Sequence, residues 1–326
     1  MADTNVYAIA DEIIAGRRLS RNDDLSFLIK SGTDELCRNA DRIRKALCGD
    51  YVDLCSIVNG RSGRCPENCK FCAQSAHNHT GIDEYPFLDE DSIVNECRHN
   101  ADKGVHRFSI VTAGRTLSDE DFEKAVSAYS RMSRECSIKL CASHGLLTEE
   151  QFIRLRESGV TTYHCNIETS RRNFPNICTT HTFDDKIACI KRAQKCGLNV
   201  CSGGIIGMGE TPEDRLDMAL TLAELGIGSI PINALRPVKG TPLESETPLT
   251  EEDILRTAAI FRFIVPTAYI RLAAGRIIMR DSGSAAFLSG ANATITGDML
   301  TTSGNDIDGD IKMLKGLGLD VSVPER

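Results

Sequence analysis

The stretch Arg64 to Ala73, RCPENCKFCA, places Cys65, Cys69 and Cys72 at C-x3-C-x2-C spacing beside Pro66, with few apolar residues around them. Such a segment reads as a loop that presents three thiolates together. Iron–sulfur clusters take cysteine thiolate ligands, normally four per cubane, so three clustered cysteines with no fourth nearby would leave one iron open to a small molecule. Structural zinc wants four protein ligands, and no histidine or cysteine pair at finger spacing flanks the loop; His77 and His79 follow closely but at no such spacing. Zinc and unrelated thiols stand as the alternatives to a cluster with an open iron.

Composition narrows the setting. The chain has 326 residues, 41% of them hydrophobic, and a net charge of −8. That is enough apolar material for a sizeable core, and the charge gives no footprint for nucleic acid or an anionic membrane surface. No apolar run reaches the length of a membrane span, and MADTNVYAIADEIIAG lacks the basic start of a secretory signal, so a cytoplasmic protein is expected. Fourteen cysteines in a chain this long fit a reducing compartment with metal chemistry better than a disulfide framework.

A scaffold must hold the loop. Residues 1–50 read as a helical extension, with Ser20 and Asp23 as a capping box and Leu25, Phe27, Leu28 and Ile29 as an apolar stripe. From residue 51 to 326 one unit recurs: a β-rich run, a loop, a cap, an amphipathic helix and a glycine. The runs are 52–58, 106–113, 137–143, 161–167, 198–205, 229–235, 268–273 and a weaker one at 293–296. Ser118, Thr148, Thr182, Thr211 and Thr250 mark helix starts, and Gly104, Gly159, Gly197 and Gly226 mark stops. Eight strands alternating with helices predict an α/β fold, a closed (β/α)8 TIM-type barrel, with a loop and a short helix at the end.

Alternation along each strand sorts the side chains. With Phe108 and Ile110 toward the helices, Arg107, Ser109 and Val111 turn inward. The same argument turns Cys141, Cys201, Asn233 and Arg271 into the lumen. Barrel interiors are usually filled by Val, Ile and Leu, so this concentration of polar and thiol groups reads as a site. In Thr161 to Glu168, Cys165 and Asn166 cannot both face inward from a regular strand.

The phrase CPENCKFCAQS resembles the signature of the radical S-adenosylmethionine enzymes, and within them the biotin synthase family. VCSGGIIGMGET, PINALRPVKGTPL, AYIRLAAGR and SGANATITGDMLTT extend the likeness from about Val52 to Thr302. The resemblance implies a [4Fe-4S] cluster on Cys65, Cys69 and Cys72, with S-adenosyl-L-methionine on its open iron. Its electron-driven cleavage would release a 5′-deoxyadenosyl radical. Phe71 would lie near the adenine, and Gly203, Ile205, Gly207 and Glu210 match a G-x-I-x-G-x-x-E pattern at the adenosyl side. Asn166 and Glu168 would meet the ribose, with Glu where the family usually has Asp. Asn166 and Asn233 would hydrogen-bond the ureido ring of dethiobiotin. The family reaction puts sulfur between C6 and C9 of that substrate. Flavodoxin or ferredoxin would supply electrons, and relatives suggest a homodimer.

The family also carries an auxiliary iron–sulfur cluster deep in the barrel, commonly a two-iron one on three cysteines and an arginine. Cys141, Cys201 and Arg271 match three of those positions, but Ser109 stands at the fourth, and Cys165 occupies a place where the better-known enzymes have histidine. This implies a rearranged cluster on Cys141, Cys165 and Cys201, favoured here as a four-iron one, with Arg271, Ser109 or an extra sulfide on the last iron. Inward-facing Cys165 requires a bulge or a strand end, which the resemblance leads us to expect, and His164 is expected to support the site by hydrogen bonding. Cys55, Cys97, Cys136, Cys178, Cys189 and Cys196 receive no role.

Overall fold

The computed structural model describes residues 5–297, 300 and 304–322. Its strands are β1 Asp53–Arg61, β2 Arg107–Thr112, β3 Lys139–Ser143, β4 Val160–His164, β5 Asn199–Cys201, β6 Gly204–Ile206, β7 Ser229–Ala234, β8 Tyr269–Leu272 and β9 Ala293–Ile295. All neighbours pair in parallel, in the order β5-β4-β3-β2-β1-β9-β8-β7-β6. A further pairing of Cys201 with Ser229 joins β5 to β7. That contact closes the sheet: β5 and β6 are two halves of one barrel strand, giving the eight positions of a (β/α)8 barrel.

The expected run 198–205 breaks in its middle for a steric reason. Pro231 in β7 has no N–H to give, and a Cβ on Gly203 would lie 2.0 Å from its carbonyl oxygen. Only glycine fits there, and the strand steps around the proline before pairing resumes at Gly204 and Ile232.

The caps appear where the residue pattern puts them. Ser118, Thr148, Thr182, Thr211 and Thr250 each accept from the N3 backbone of the following helix. Such a cap contributes about 1 kcal/mol. Gly104, Gly159, Gly197 and Gly226 follow helix ends at positive φ, from 66° to 101°. Ser20 and Asp23 differ from expectation. They bond each other in a turn, and the helix begins only at Ser26, after Leu25.

The N-terminal helices Val6–Ile14, Ser26–Lys30 and Thr33–Cys48 share one continuous apolar core with the barrel. Thr33–Cys48 lies on Glu251–Ile264, and Phe27 meets Phe263 edge-on at 5.9 Å. Outward residues of the strands, Phe108, Ile110, Leu140 and Tyr163, fill the layer beneath the helices. The helix Ile307–Gly316 closes the chain, while residues 298, 299, 301 and 302 of the SGANATITGDMLTT block lie outside the described residues. Among the described residues no helix is long and apolar enough to cross a membrane.

Candidate active site: two thiol centres in one lumen

A cavity of about 830 Å3 occupies the barrel. Phe71, Cys72, Asn233 and Arg236 line it together with Cys55, Cys141, Cys201 and Arg271. It therefore joins the cysteine loop at the strand C-terminal ends, where barrel enzymes work, to groups deep between the strands.

At the rim, the loop is stapled through its backbone. Cys65 exchanges bonds with Gln74 and Ala76, and Cys72 N–H donates to Cys69 O at 3.1 Å. The Asn78 amide donates to both Cys69 O and Cys72 O, at 3.2 and 2.8 Å. Cys72 lines the cavity, while the Cys69 sulfur lies 3.7 Å from that of Cys178. Burial pushes the Cys72 thiol up to about 11, and raises Cys65 too. Cys69 is raised first by its contact with Cys178 and then by burial. These are soft donors whose buried charge calls for a cation, and coordination would deprotonate them outright.

Beside the rim, Glu168 sits at φ +68°, a conformation that is costly for a residue with a side chain. Its backbone is held from both sides, N–H to Gly203 O at 3.2 Å and O from Ile205 N–H at 2.8 Å. Its carboxylate has Lys186 3.7 Å from one oxygen, while the other oxygen is buried without a partner. An orphaned acceptor lining a cavity suits a hydroxyl-bearing ligand. The Asn166 Oδ1 accepts from Gly203 N–H at 3.0 Å. Asn233 donates to Gly204 O at 3.1 Å and accepts from Ala274 N–H at 3.2 Å, which fixes its amide orientation and leaves one donor and one acceptor site spare.

In the G-x-I-x-G-x-x-E segment the glycines answer to neighbouring residues of the protein. Gly203 is demanded by Pro231, and at Gly207, with φ +92°, a Cβ would meet Leu249 at 2.9 Å. Glu210 accepts from the N–H groups of Gly207 and Met208, each at 2.7 Å, and from Arg215. It shapes the loop from behind, while Ile205 itself lines the cavity.

At the floor, Arg271 and Arg107 converge on the buried carboxylate of Asp53. Burial alone would raise this carboxyl, yet the two guanidiniums hold it below its ordinary value. Arg271 also donates to the carbonyls of Asp53 and Thr294, at 3.1 and 2.9 Å. Around this ion network stand three thiols. Cys55 touches Cys141, and this contact, with Arg107 and Arg271 nearby, brings Cys141 down to about 7. Cys201 accepts from Ser229 Oγ at 3.4 Å and feels both Arg271 and Cys141. Ser109 Oγ, buried and facing the same lumen, has no hydrogen-bond partner. Three thiols, two guanidiniums and an orphaned hydroxyl fit a sulfide-rich anionic group.

β4 ends at His164, and His164, Cys165 and Asn166 all line the same lumen as Cys141 and Cys201, while the Cys165 thiol contacts Cys189 on the helix Phe183–Lys195. Cys55, given no role from sequence, is the thiol that stands beside Cys141. Its signal was available: on β1 it alternates with Leu54 and Ser56, and Leu54 is a fully buried helix-side residue. Cys178, which receives no role from the sequence, has its sulfur 3.7 Å from that of Cys69.

A parallel barrel with an open-iron cysteine loop on its rim is the architecture of a radical S-adenosylmethionine enzyme. Residues 61–222 match the Radical SAM superfamily, and residues 231–320 match the Biotin and Thiamin Synthesis associated domain. The chain is 66% identical to a biotin synthase of Alkaliphilus metalliredigens, covering 96% of this chain and 99% of that one. It is 62% identical to the biotin synthase of Clostridium beijerinckii, over 96% of this chain and 99% of the relative. The chain belongs to the biotin synthase family, within the radical S-adenosylmethionine superfamily. Among solved structures, methylornithine synthase shares the fold, with a TM-score of 0.83 at 20% identity over 98% of this chain and 97% of that one. So does the FeFe-hydrogenase maturase of Carboxydothermus hydrogenoformans, at 0.80 and 16% over 96% and 78%. Family membership implies a four-iron cluster and S-adenosylmethionine, and the soft thiol triplet on the rim fits that pair.

Proposed function

We propose that the chain closes the thiophane ring of biotin, inserting sulfur between C6 and C9 of dethiobiotin, with the sulfur drawn from an auxiliary iron–sulfur group on the barrel floor. The observation that carries this reading is the single lumen that runs from Cys72 at the rim to Cys141, Cys201 and Arg271 below. When bound, the rim cluster and S-adenosylmethionine supply a carbon-centred radical able to take hydrogen from an unactivated C–H bond.

The residues of the chain do the rest. Cys65, Cys69 and Cys72 would hold the cubane, Phe71 would stack near the adenine, and Glu168 would offer its unpaired oxygen to the ribose. Asn166 and Asn233 would hold the ureido ring through their spare amide positions, which places the alkyl chain of the substrate between rim and floor. At the floor we assign Cys55, Cys141 and Cys201, with Arg271 and Ser109 beside them, and take Cys165 as a packing residue. With Cys55 replacing Cys165 in the ligand set, the floor offers three thiols and Arg271, a set that suits a two-iron cluster as well as the four-iron one favoured from the sequence.

A flavodoxin or ferredoxin as electron donor, a homodimer and a cytoplasmic setting complete the proposal. The test is anaerobic incubation of iron-loaded protein with reductant, S-adenosylmethionine and dethiobiotin, counting 5′-deoxyadenosine, biotin and remaining sulfide. The reading predicts biotin formed with loss of protein-bound sulfide. Production of 5′-deoxyadenosine that does not respond to dethiobiotin would point to another substrate and overturn it.

A further inference from the structure

Against the outer side of the rim loop lies a group of ligand-type side chains that the reaction does not use. Cys178 Sγ is 3.7 Å from Cys69 Sγ and 3.3 Å from His181 Nδ1. The ligand atoms of Cys69, Cys178 and His181 all lie within 4.8 Å of one another. Glu67 Oε2 reaches His181 Nδ1 at 2.5 Å and also takes the Thr180 hydroxyl. Cys178, His181 and Glu67 are 4%, 6% and 6% exposed, so this is an interior group, unlike a scatter of surface donors.

The spacing is that of one ion. Two metal–sulfur bonds of about 2.3 Å at a tetrahedral angle set their sulfurs about 3.8 Å apart, and a sulfur and an imidazole nitrogen about 3.6 Å apart. The group sits close to both values.

We propose that Cys69, Cys178 and His181, with a solvent molecule as the fourth donor, form a mononuclear site for a thiophilic divalent cation in the chain that lacks its rim cluster. Cys69 is shared, so the cubane and the single ion exclude each other. The bonds formed are two metal–thiolate bonds, one metal–imidazole bond and one metal–water bond, and Glu67 gives up its contact with His181 Nδ1 while keeping the Thr180 hydroxyl. The protons of both thiols and of His181 Nδ1 pass to solvent, and no oxidation occurs. A cation such as Zn2+ held here removes one of the three thiolates the cluster needs, and must leave before the cluster can be built. Cys178 and His181 thus give the rim loop a second occupancy that governs cluster loading.

Cobalt is the probe, because thiolate-bound tetrahedral Co2+ is coloured. In the cluster-free, anaerobic full chain carrying C65A and C72A, Co2+ should bind with a thiolate-to-metal absorption. Adding C178A should abolish that absorption, and adding C178S, which keeps the side-chain volume, should do the same. Binding unchanged by both substitutions would overturn the proposal, as would a C65A/C72A chain that shows no thiolate absorption. In the chain with its three loop cysteines intact, prior Zn2+ should suppress iron uptake at the rim, and C178A or C178S should relieve the suppression. Equal suppression in all three would also overturn it. Iron uptake without Zn2+ reports separately on the rim cluster: its failure in the parent chain would remove the cluster reading and leave the cobalt result standing.

Discussion

The rim and the floor of the barrel both present cysteines to the same lumen, yet they are built on opposite principles. The rim thiols come from one loop, within eight residues of sequence, and are set by backbone staples such as those of Asn78. The floor thiols come from β1, β3 and β5, far apart in sequence, and are set by strand register around a buried ion network. A loop tolerates loss of a thiol without losing the fold, whereas the floor couples its chemistry to the stability of the barrel.

The largest expected contrast is between Cys72→Ala and Asp53→Asn. Cys72→Ala should remove the rim cluster and reduce product to background while shifting the melting temperature little. An equal loss of stability would break the distinction between the two regions. Asp53→Asn should leave two guanidiniums at the floor without their anion. Breaking one side of a buried ion network costs about 3 kcal/mol or more, and calorimetry or denaturant melts would measure it. The pH dependence has a definite sign. Asp53 is depressed below 3.8, so its stabilisation is present above that value and is lost as pH falls through the lower, folded-state pKa. The acid limb of the stability curve should therefore flatten in Asp53→Asn, and an unchanged limb would show that the network is not coupled as described.

A smaller effect is expected on the rim side. Glu168→Gln keeps the shape but removes the charge from the unpartnered oxygen. Loss of one charge-assisted hydrogen bond, about 1.5 kcal/mol, should weaken S-adenosylmethionine binding about tenfold, measured by equilibrium binding to the iron-loaded protein. Unchanged affinity would remove Glu168 from the ribose contact.

Much of this molecule is written locally in its sequence. The C-x3-C-x2-C loop is a short-range signal, and so are the five Ser and Thr caps and the four stop glycines, because a cap depends on residues three positions apart. The strand interiors were legible where a single alternation sufficed, as for Ser109, Cys141 and Arg271. The readings failed where a long-range contact decides. The break in the fifth barrel strand comes from Pro231 pressing on Gly203, a neighbour in space only. The turn at Ser20 has the residues of a capping box without a helix to cap. Cys165 shows what a strand end does: past His164 regular alternation no longer holds, so Cys165 and Asn166 both line the lumen although the Cys165 thiol also meets Cys189. Cys55 is legible by the same alternation, since Leu54 beside it faces the helices, but its contact with Cys141 depends on β1 and β3 being brought to one lumen.

The ligand set of the floor decides most between these accounts, and Mössbauer spectra of anaerobically iron-loaded protein read it directly. The parent chain and Cys165→Ala should both show a rim signal and a floor signal, while Cys55→Ala should keep the rim signal and lose or alter the floor one. A floor signal that survives Cys55→Ala and disappears in Cys165→Ala would contradict the arrangement described for this barrel.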